Sequence, residues 1–71
     1  MTKQHQEIVK YLVSQGFQAT DSGVFVKIIN GRPFLVEHLN EGEYFCDTVG
    51  YNNYYFTLDQ IKEFIEFIES I

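Results

Sequence analysis

Two runs of β-branched and aromatic residues, 24–29 and 32–39, stand on either side of the dipeptide Asn30-Gly31. A two-residue type I′ turn requires positive φ at both central positions, and Asn-Gly meets that requirement at little cost. The dipeptide therefore predicts an antiparallel β-hairpin in the middle of the chain. Because Pro33 has no N–H group, we expect its nitrogen to face a sheet edge or the turn end.

Turn residues on both sides of this hairpin extend it into a meander. Residues 40–42 end the second strand of the hairpin and introduce a third strand over residues 43–49. Upstream, a short strand at 17–20 turns back into the hairpin. Downstream, we predict a loop over residues 50–53 and a brief strand at 54–56. Together these patterns give three to five antiparallel strands.

A helix is predicted on each side of the strands. Apolar residues recur at helical spacing over residues 3–15, with Thr2 as the N-cap and Gly16 as the C-terminal stop. The last helix begins after Thr57, because Thr57 and Gln60 have the spacing of a capping box. Its apolar side covers an arc of about 180°, more than the ~100° that a surface helix needs.

The order helix, strands, helix predicts an α+β fold: an N-terminal helix, an antiparallel meander sheet of three to five strands, and a C-terminal helix packed on the sheet. The chain has 71 residues and is 45% hydrophobic, so residues 1–71 form a single domain. In the hairpin, Phe25 and Ile29 point to one face of the strand, and Val26 and Ile28 point to the other. Two apolar faces require helices on both sides or a second molecule on one.

Acidic residues dominate the second half of the chain. Residues 1–35 carry four basic and two acidic side chains, whereas residues 36–71 carry one basic and eight acidic ones, for a net charge of −5. An acidic chain repels phosphate, so we expect no direct binding of DNA or RNA. The sequence lacks a long apolar stretch and a signal peptide, so we expect no membrane insertion and a cytoplasmic location.

Few residues have the spacing of a catalytic or metal site. His38 and Cys46 could pair across neighbouring strands, but no helix N-terminus or glycine loop is placed to support Cys46 as a nucleophile. His5 falls on the apolar side of the first helix, and neither histidine has metal-ligand spacing. The glycines match no phosphate-binding motif. We therefore predict a non-enzymatic protein without catalytic residues, metal or cofactor.

Tyrosines near the end of the strand region indicate a contact surface for a protein partner. A tyrosine offers a large rigid area with a polar tip, and the residue is enriched in interface cores. An equally weighted alternative is that some of these tyrosines close the sheet and pack on the last helix. The predicted partner-binding residues are Tyr44, Tyr51, Tyr54 and Tyr55, together with the acidic residues Glu41, Glu43 and Asp47.

A small acidic protein-binding module is the function we favour. In size, acidity and lack of catalytic motifs the chain resembles small phage or mobile-element proteins that bind and block a host protein, anti-CRISPR inhibitors among them. The resemblance is one of type, and no particular residues carry it. A nucleic-acid mimic, in which acidic residues over 41–47 and 63–69 imitate phosphates in a basic groove, is one alternative. The weakest is a small enzyme that uses Cys46 and His38.

A homodimeric accessory subunit is a further alternative, because two helices and one small sheet cannot cover all the apolar side chains. A two-fold homodimer is the commonest way to cover such a surface, so we expect this association in addition to a partner. The predicted dimer interface comprises Phe25, Phe34, Phe67 and Ile71.

Overall fold

A five-stranded antiparallel meander lies between two helices in the chain, which confirms the predicted α+β fold. The computed structural model describes residues 2–71, without the side chain of Glu41. The strands follow one another across the sheet in chain order. The elements are α1 (Lys3–Ser14), β1 (Gln18–Ala19), β2 (Val24–Ile29), β3 (Arg32–His38), a 3₁₀ turn (Asn40–Gly42), β4 (Tyr44–Thr48), β5 (Tyr51–Tyr55) and α2 (Leu58–Glu69).

The β2–β3 hairpin forms as the Asn-Gly dipeptide predicts. Asn30 has φ 53° and Gly31 has φ 78°, the two positive values that a type I′ turn requires. Pro33 lies just before Phe34, whose partner Thr48 is the last residue of β4. Because β4 ends there, no bond of the β3–β4 ladder requires the N–H group that proline lacks.

The region after β4 differs from its prediction. Residues 50–53 are not a loop, because β5 begins at Tyr51 and pairs with β4 along its whole length. Gly50 has φ 87°, which allows a two-residue turn between β4 and β5. Asn52 pairs with Asp47 across this turn, so pairing with a neighbouring strand overrides the weak strand propensity of asparagine.

Local capping defines the beginning of each helix. The Thr2 hydroxyl accepts a hydrogen bond from the His5 N–H at 3.1 Å and caps α1. At α2, the Thr57 hydroxyl accepts from the Gln60 N–H at 3.2 Å, and the Gln60 side chain accepts from the Thr57 N–H at 3.2 Å. The predicted capping box is therefore confirmed.

Neither helix has a basic residue in its last turn. Side chains from β2 and from the turn that follows it donate hydrogen bonds to the helix ends instead. The Lys27 ammonium donates to the carbonyl of Gln15 at 2.5 Å and caps the end of α1. The Asn30 amide lies 3.0–3.3 Å from three carbonyls at the end of α2. Both donors lie where the negative ends of the helix dipoles favour them, at carbonyls of the last turn and just beyond it.

Both helices pack on the same face of the sheet. Along β3 and β4, alternate residues are buried, so one face of the sheet forms the core with the helices. The buried apolar residues are Ile8, Leu12, Phe17, Ile29, Phe34, Val36, Tyr44, Cys46, Ile61, Phe64, Ile65 and Ile68. The opposite face of the sheet is consequently left without a covering helix from the described chain.

Candidate functional site

The uncovered side of the sheet, which we call the open face, is the most distinctive surface of the molecule. Its members occupy the strand positions that alternate with the buried ones, and most are apolar. It comprises Val24, Val26, Ile28, Leu35, Glu37, Phe45, Asp47, Asn52 and Tyr54. Soluble monomers rarely leave a continuous apolar surface of this kind in water.

The open face contains a groove of about 490 Å³. Its lining consists of Thr20, Ser22, Val24, Val26, Leu35, Glu37, Phe45 and Asp47. Leu35 lies on the central strand, yet it remains 36% exposed, and Ile28 and Tyr54 are 64% and 54% exposed. The Tyr54 and Phe45 rings lie 4.9 Å apart and extend the apolar area to β5.

Strand register places two carboxylates among these apolar side chains. Glu37 is paired with Phe45, and Asp47 is paired with Leu35, so acidic and apolar residues alternate across β3 and β4. Within residues 2–71, no lysine or arginine belongs to the open face. Lys27 pairs with the buried Phe34, which places it on the helix side. The open face is therefore both apolar and acidic.

The edges of the sheet are less suitable for a partner than its face. At one edge, β1 has two residues. At the other edge, the Tyr54 N–H donates to the Asn53 side-chain oxygen at 2.9 Å. A short strand and an amide that is already bonded both discourage the addition of another strand. Contact through side chains of a face is therefore favoured over addition of a strand at an edge.

The four predicted contact tyrosines do not form one surface. Tyr44 is 2% exposed and belongs to the core, so its assignment as a surface contact is wrong. Tyr55 is half-buried against Phe64, at 5.4 Å between ring centroids. Tyr51 is exposed beside Phe67 of α2, whereas Tyr54 lies on the open face. Tyr51 and Tyr54 are three residues apart, so the alternation of β5 places them on opposite sides of the sheet.

The acidic residues are divided in the same way. Asp47 lines the groove of the open face, and Glu43 is half-buried beyond the 3₁₀ turn. The predicted contact through Glu41 lies outside the described side chains. Glu63 and Glu66 are exposed on α2, which packs on the other face of the sheet. Asp47 and the α2 carboxylates thus do not combine into a single row that could follow a basic groove.

Two of the four predicted dimer residues belong to the helix-covered side of the sheet. Phe34 is 0% exposed, so the folded monomer does not offer it to a second copy, and this assignment is wrong. Phe25 is partly buried and packs against the same core. Phe67 and Ile71 are exposed, at 46% and 47%. Both faces of β2 are apolar. The helices cover the face of the sheet that carries Phe25 of β2 and Phe34 of β3.

Cys46 is unsuited to nucleophilic chemistry. The side chain is 0% exposed, and burial raises the pKa of its thiol to about 12. A thiol must ionise to act as a nucleophile, which this environment opposes at neutral pH. His38 is paired with Tyr44, and Cys46 is paired with Val36. Cys46 therefore fills the core as a small apolar side chain.

A cluster of two histidines and a tyrosine was not predicted from the sequence. The rings of His5 and His38 stack with centroids 4.1 Å apart, and the ring of Tyr44 lies 4.7 Å from that of His38. His5 Nδ1 and the Tyr44 hydroxyl oxygen are 2.6 Å apart. Burial, followed by repulsion from His38, lowers the pKa of His5. The position of His5 on the apolar side of α1 was the available signal.

This cluster provides a hydrogen-bond partner for the hydroxyl of the buried Tyr44. In neutral His5 with its proton on Nε2, Nδ1 accepts a hydrogen bond from the Tyr44 hydroxyl. A buried tyrosine needs such a partner for its polar end. Among the side chains that the structure describes, no three His, Cys, Asp or Glu residues are grouped as they would be around a metal ion.

Comparisons with known proteins add no functional assignment. No protein-family model matches the chain, and searches of curated proteins and of solved structures found no match. Within residues 2–71, neither helix has the length and apolar character required to cross a membrane.

Proposed function

We propose that the protein is a non-enzymatic protein-binding module and that its docking surface is the open face of the sheet. The observation that supports this proposal is the exposure of Ile28, Leu35 and Tyr54 on one sheet face, around a groove with half-buried apolar walls. Burying apolar area is the main favourable term in most protein associations. An exposed apolar patch with a polar rim is typical of a protein-interaction site.

The groove is half-open and lies on an exposed sheet face, a position that favours a protein surface as its occupant. Small-molecule sites are concave pockets that enclose most of their ligand. Here the groove lies on a sheet face, and its apolar residues Val26, Leu35 and Phe45 come from three neighbouring strands. An inhibitor that covers a surface of another protein would act in this way. A cytoplasmic location remains part of the proposal.

A pair of charge substitutions tests the proposed docking surface. Leu35→Lys places an ammonium in the open face, and Val13→Lys makes the same kind of change on α1, where Val13 is 57% exposed. We expect the partner captured by the wild-type protein from its source cells to be lost with Leu35→Lys and retained with Val13→Lys. Urea unfolding of both variants checks that each remains folded.

Retention of the partner by a folded Leu35→Lys variant would contradict the proposal. Loss of the partner with Val13→Lys alone would instead place the contact on the helix side of the molecule. Sedimentation equilibrium at micromolar concentration measures self-association of the wild-type protein in the same buffer. A dimer that Leu35→Lys dissociates would identify a second copy as the occupant of the open face.

A further inference from the structure

We infer, on the basis of the proposed function, that the occupant of the open face is a different protein that presents lysine or arginine side chains around an apolar contact. Two carboxylates, Glu37 and Asp47, lie among the apolar residues of the groove. Each carboxylate pairs across the sheet with a large apolar side chain, Phe45 or Leu35. A partner that covers the apolar residues must therefore also cover the carboxylates.

Covering these carboxylates with a neutral surface would be unfavourable. A carboxylate that leaves water needs an opposite charge or several hydrogen bonds in exchange. The neighbouring strand supplies no such charge, because Lys27 faces the helices and donates to the carbonyl of Gln15. The compensation must then come from the partner, and a positive charge supplies it most directly. Arginine is especially suited to this role, since its guanidinium can bind a carboxylate with two parallel hydrogen bonds.

A second copy of the chain does not satisfy this requirement. In a two-fold dimer the same patch occurs on both partners, so two open faces would bring two Glu37 and two Asp47 side chains into one interface. Like charges opposed across an interface are destabilising. The whole chain also carries a net charge of −5, which repels a second copy and attracts a basic partner at a distance.

Site-specific photo-cross-linking identifies the occupant directly. A benzophenone amino acid at Leu35 samples the open face, and the same amino acid at Val13 serves as the control on α1. Mass spectrometry of the adduct formed in the source cells gives the partner and the cross-linked segment. We expect an adduct from Leu35 with a different protein, whose cross-linked segment carries lysine or arginine beside apolar residues.

Binding of the purified partner then tests the charge argument. We expect the double variant Glu37→Gln/Asp47→Asn to bind about tenfold more weakly than the wild type. The matched control Glu63→Gln/Glu66→Gln removes the same charge from α2, and we expect its affinity to stay within about twofold of the wild type. Isothermal titration calorimetry of all three proteins in the same buffer gives the comparison.

The outcomes separate this inference from the proposed function. An adduct of Leu35 with a second copy, or with a segment that lacks basic residues, would overturn the inference and leave the open face as a docking surface. Equal binding by the wild type and by Glu37→Gln/Asp47→Asn would also overturn it. Absence of any adduct from Leu35 would refute the proposed docking surface, and the inference with it.

Discussion

Asn30 serves both the β2–β3 turn and the end of α2, so substitutions at this position can separate the two roles. Its backbone has the positive φ of a type I′ turn, and its side-chain amide lies 3.0–3.3 Å from the carbonyls of Ile68, Glu69 and Ile71. Asn30→Gly and Asn30→Asp both preserve a favourable turn, because Gly-Gly and Asp-Gly are also type I′ sequences. The contacts to α2 are lost in both variants.

The expected free-energy change follows from the number of hydrogen bonds. The amide has two hydrogens, so two of the three carbonyls can be bonded well at one time. At about 0.5–1.5 kcal/mol for each of two hydrogen bonds, Asn30→Gly should lower the free energy of unfolding by about 1–3 kcal/mol. Asn30→Asp adds about 0.3–1 kcal/mol, because its carboxylate faces the negative end of the helix dipole.

Urea unfolding followed by far-UV circular dichroism at about pH 7 measures both variants. The introduced carboxyl should have a raised pKa in the folded state, so the extra penalty of Asn30→Asp should disappear as the pH falls below about 3.9. Asn40→Asp is the control, because Asn40 is exposed and its side chain makes no hydrogen bond within the described chain. We expect its effect to be within about 0.5 kcal/mol.

Wild-type stability in both Asn30 variants would refute the assignment of Asn30 as a cap of α2. A penalty for Asn30→Asp no larger than that for Asn30→Gly would show that the helix dipole does not act on this position. A changed dependence of the unfolding free energy on urea concentration would show that the substitutions alter the unfolded or native ensemble instead.

Three further measurements test the cap, the thiol and the histidine cluster. Thr57→Ala should lower the free energy of unfolding by about 0.5–2 kcal/mol, and Ser70→Ala should lower it by much less. Equal losses in urea titrations would contradict the start of α2 at Thr57. Cys46→Ser should lower the free energy of unfolding by about 1–3 kcal/mol and leave partner binding intact. Loss of binding in a folded variant would indicate that the thiol has a functional role. The pKa of His5 is lowered in the folded protein, so as the pH falls the His5 side chain is protonated in the unfolded chain before it is protonated in the folded one. The free energy of unfolding should therefore decrease as the pH drops below about 6.5. His5→Gln should weaken this dependence, and an unchanged pH profile would show that other groups cause it.

Signals that depend on neighbours along the chain were predicted correctly from the sequence. The turn at Asn30-Gly31, the stop at Gly16 and the capping box at Thr57 each require a particular residue type at a particular backbone conformation. Their energetics involve a few consecutive residues, so the sequence contains all the necessary information. The order of helices and strands follows from these signals.

The site depends on contacts that the sequence pattern does not specify. Both faces of β2 are apolar, so alternation alone could not determine whether Phe25 or Val26 would face the helices. Phe34 is buried and Leu35 is exposed because both helices pack on the same face of the sheet. The assignment of Phe34 to a dimer interface was wrong for this reason.

The sequence by itself determined the two helices, the first four strands of the meander and the acidic charge. Tertiary structure decided which side of the sheet is covered, and it joined His5 to Tyr44 although they are far apart in the chain. It also made β5 a strand despite its asparagines, because pairing with β4 satisfies the backbone there. The physical reason is that turns and caps are local interactions, whereas burial is set by all the elements packed together.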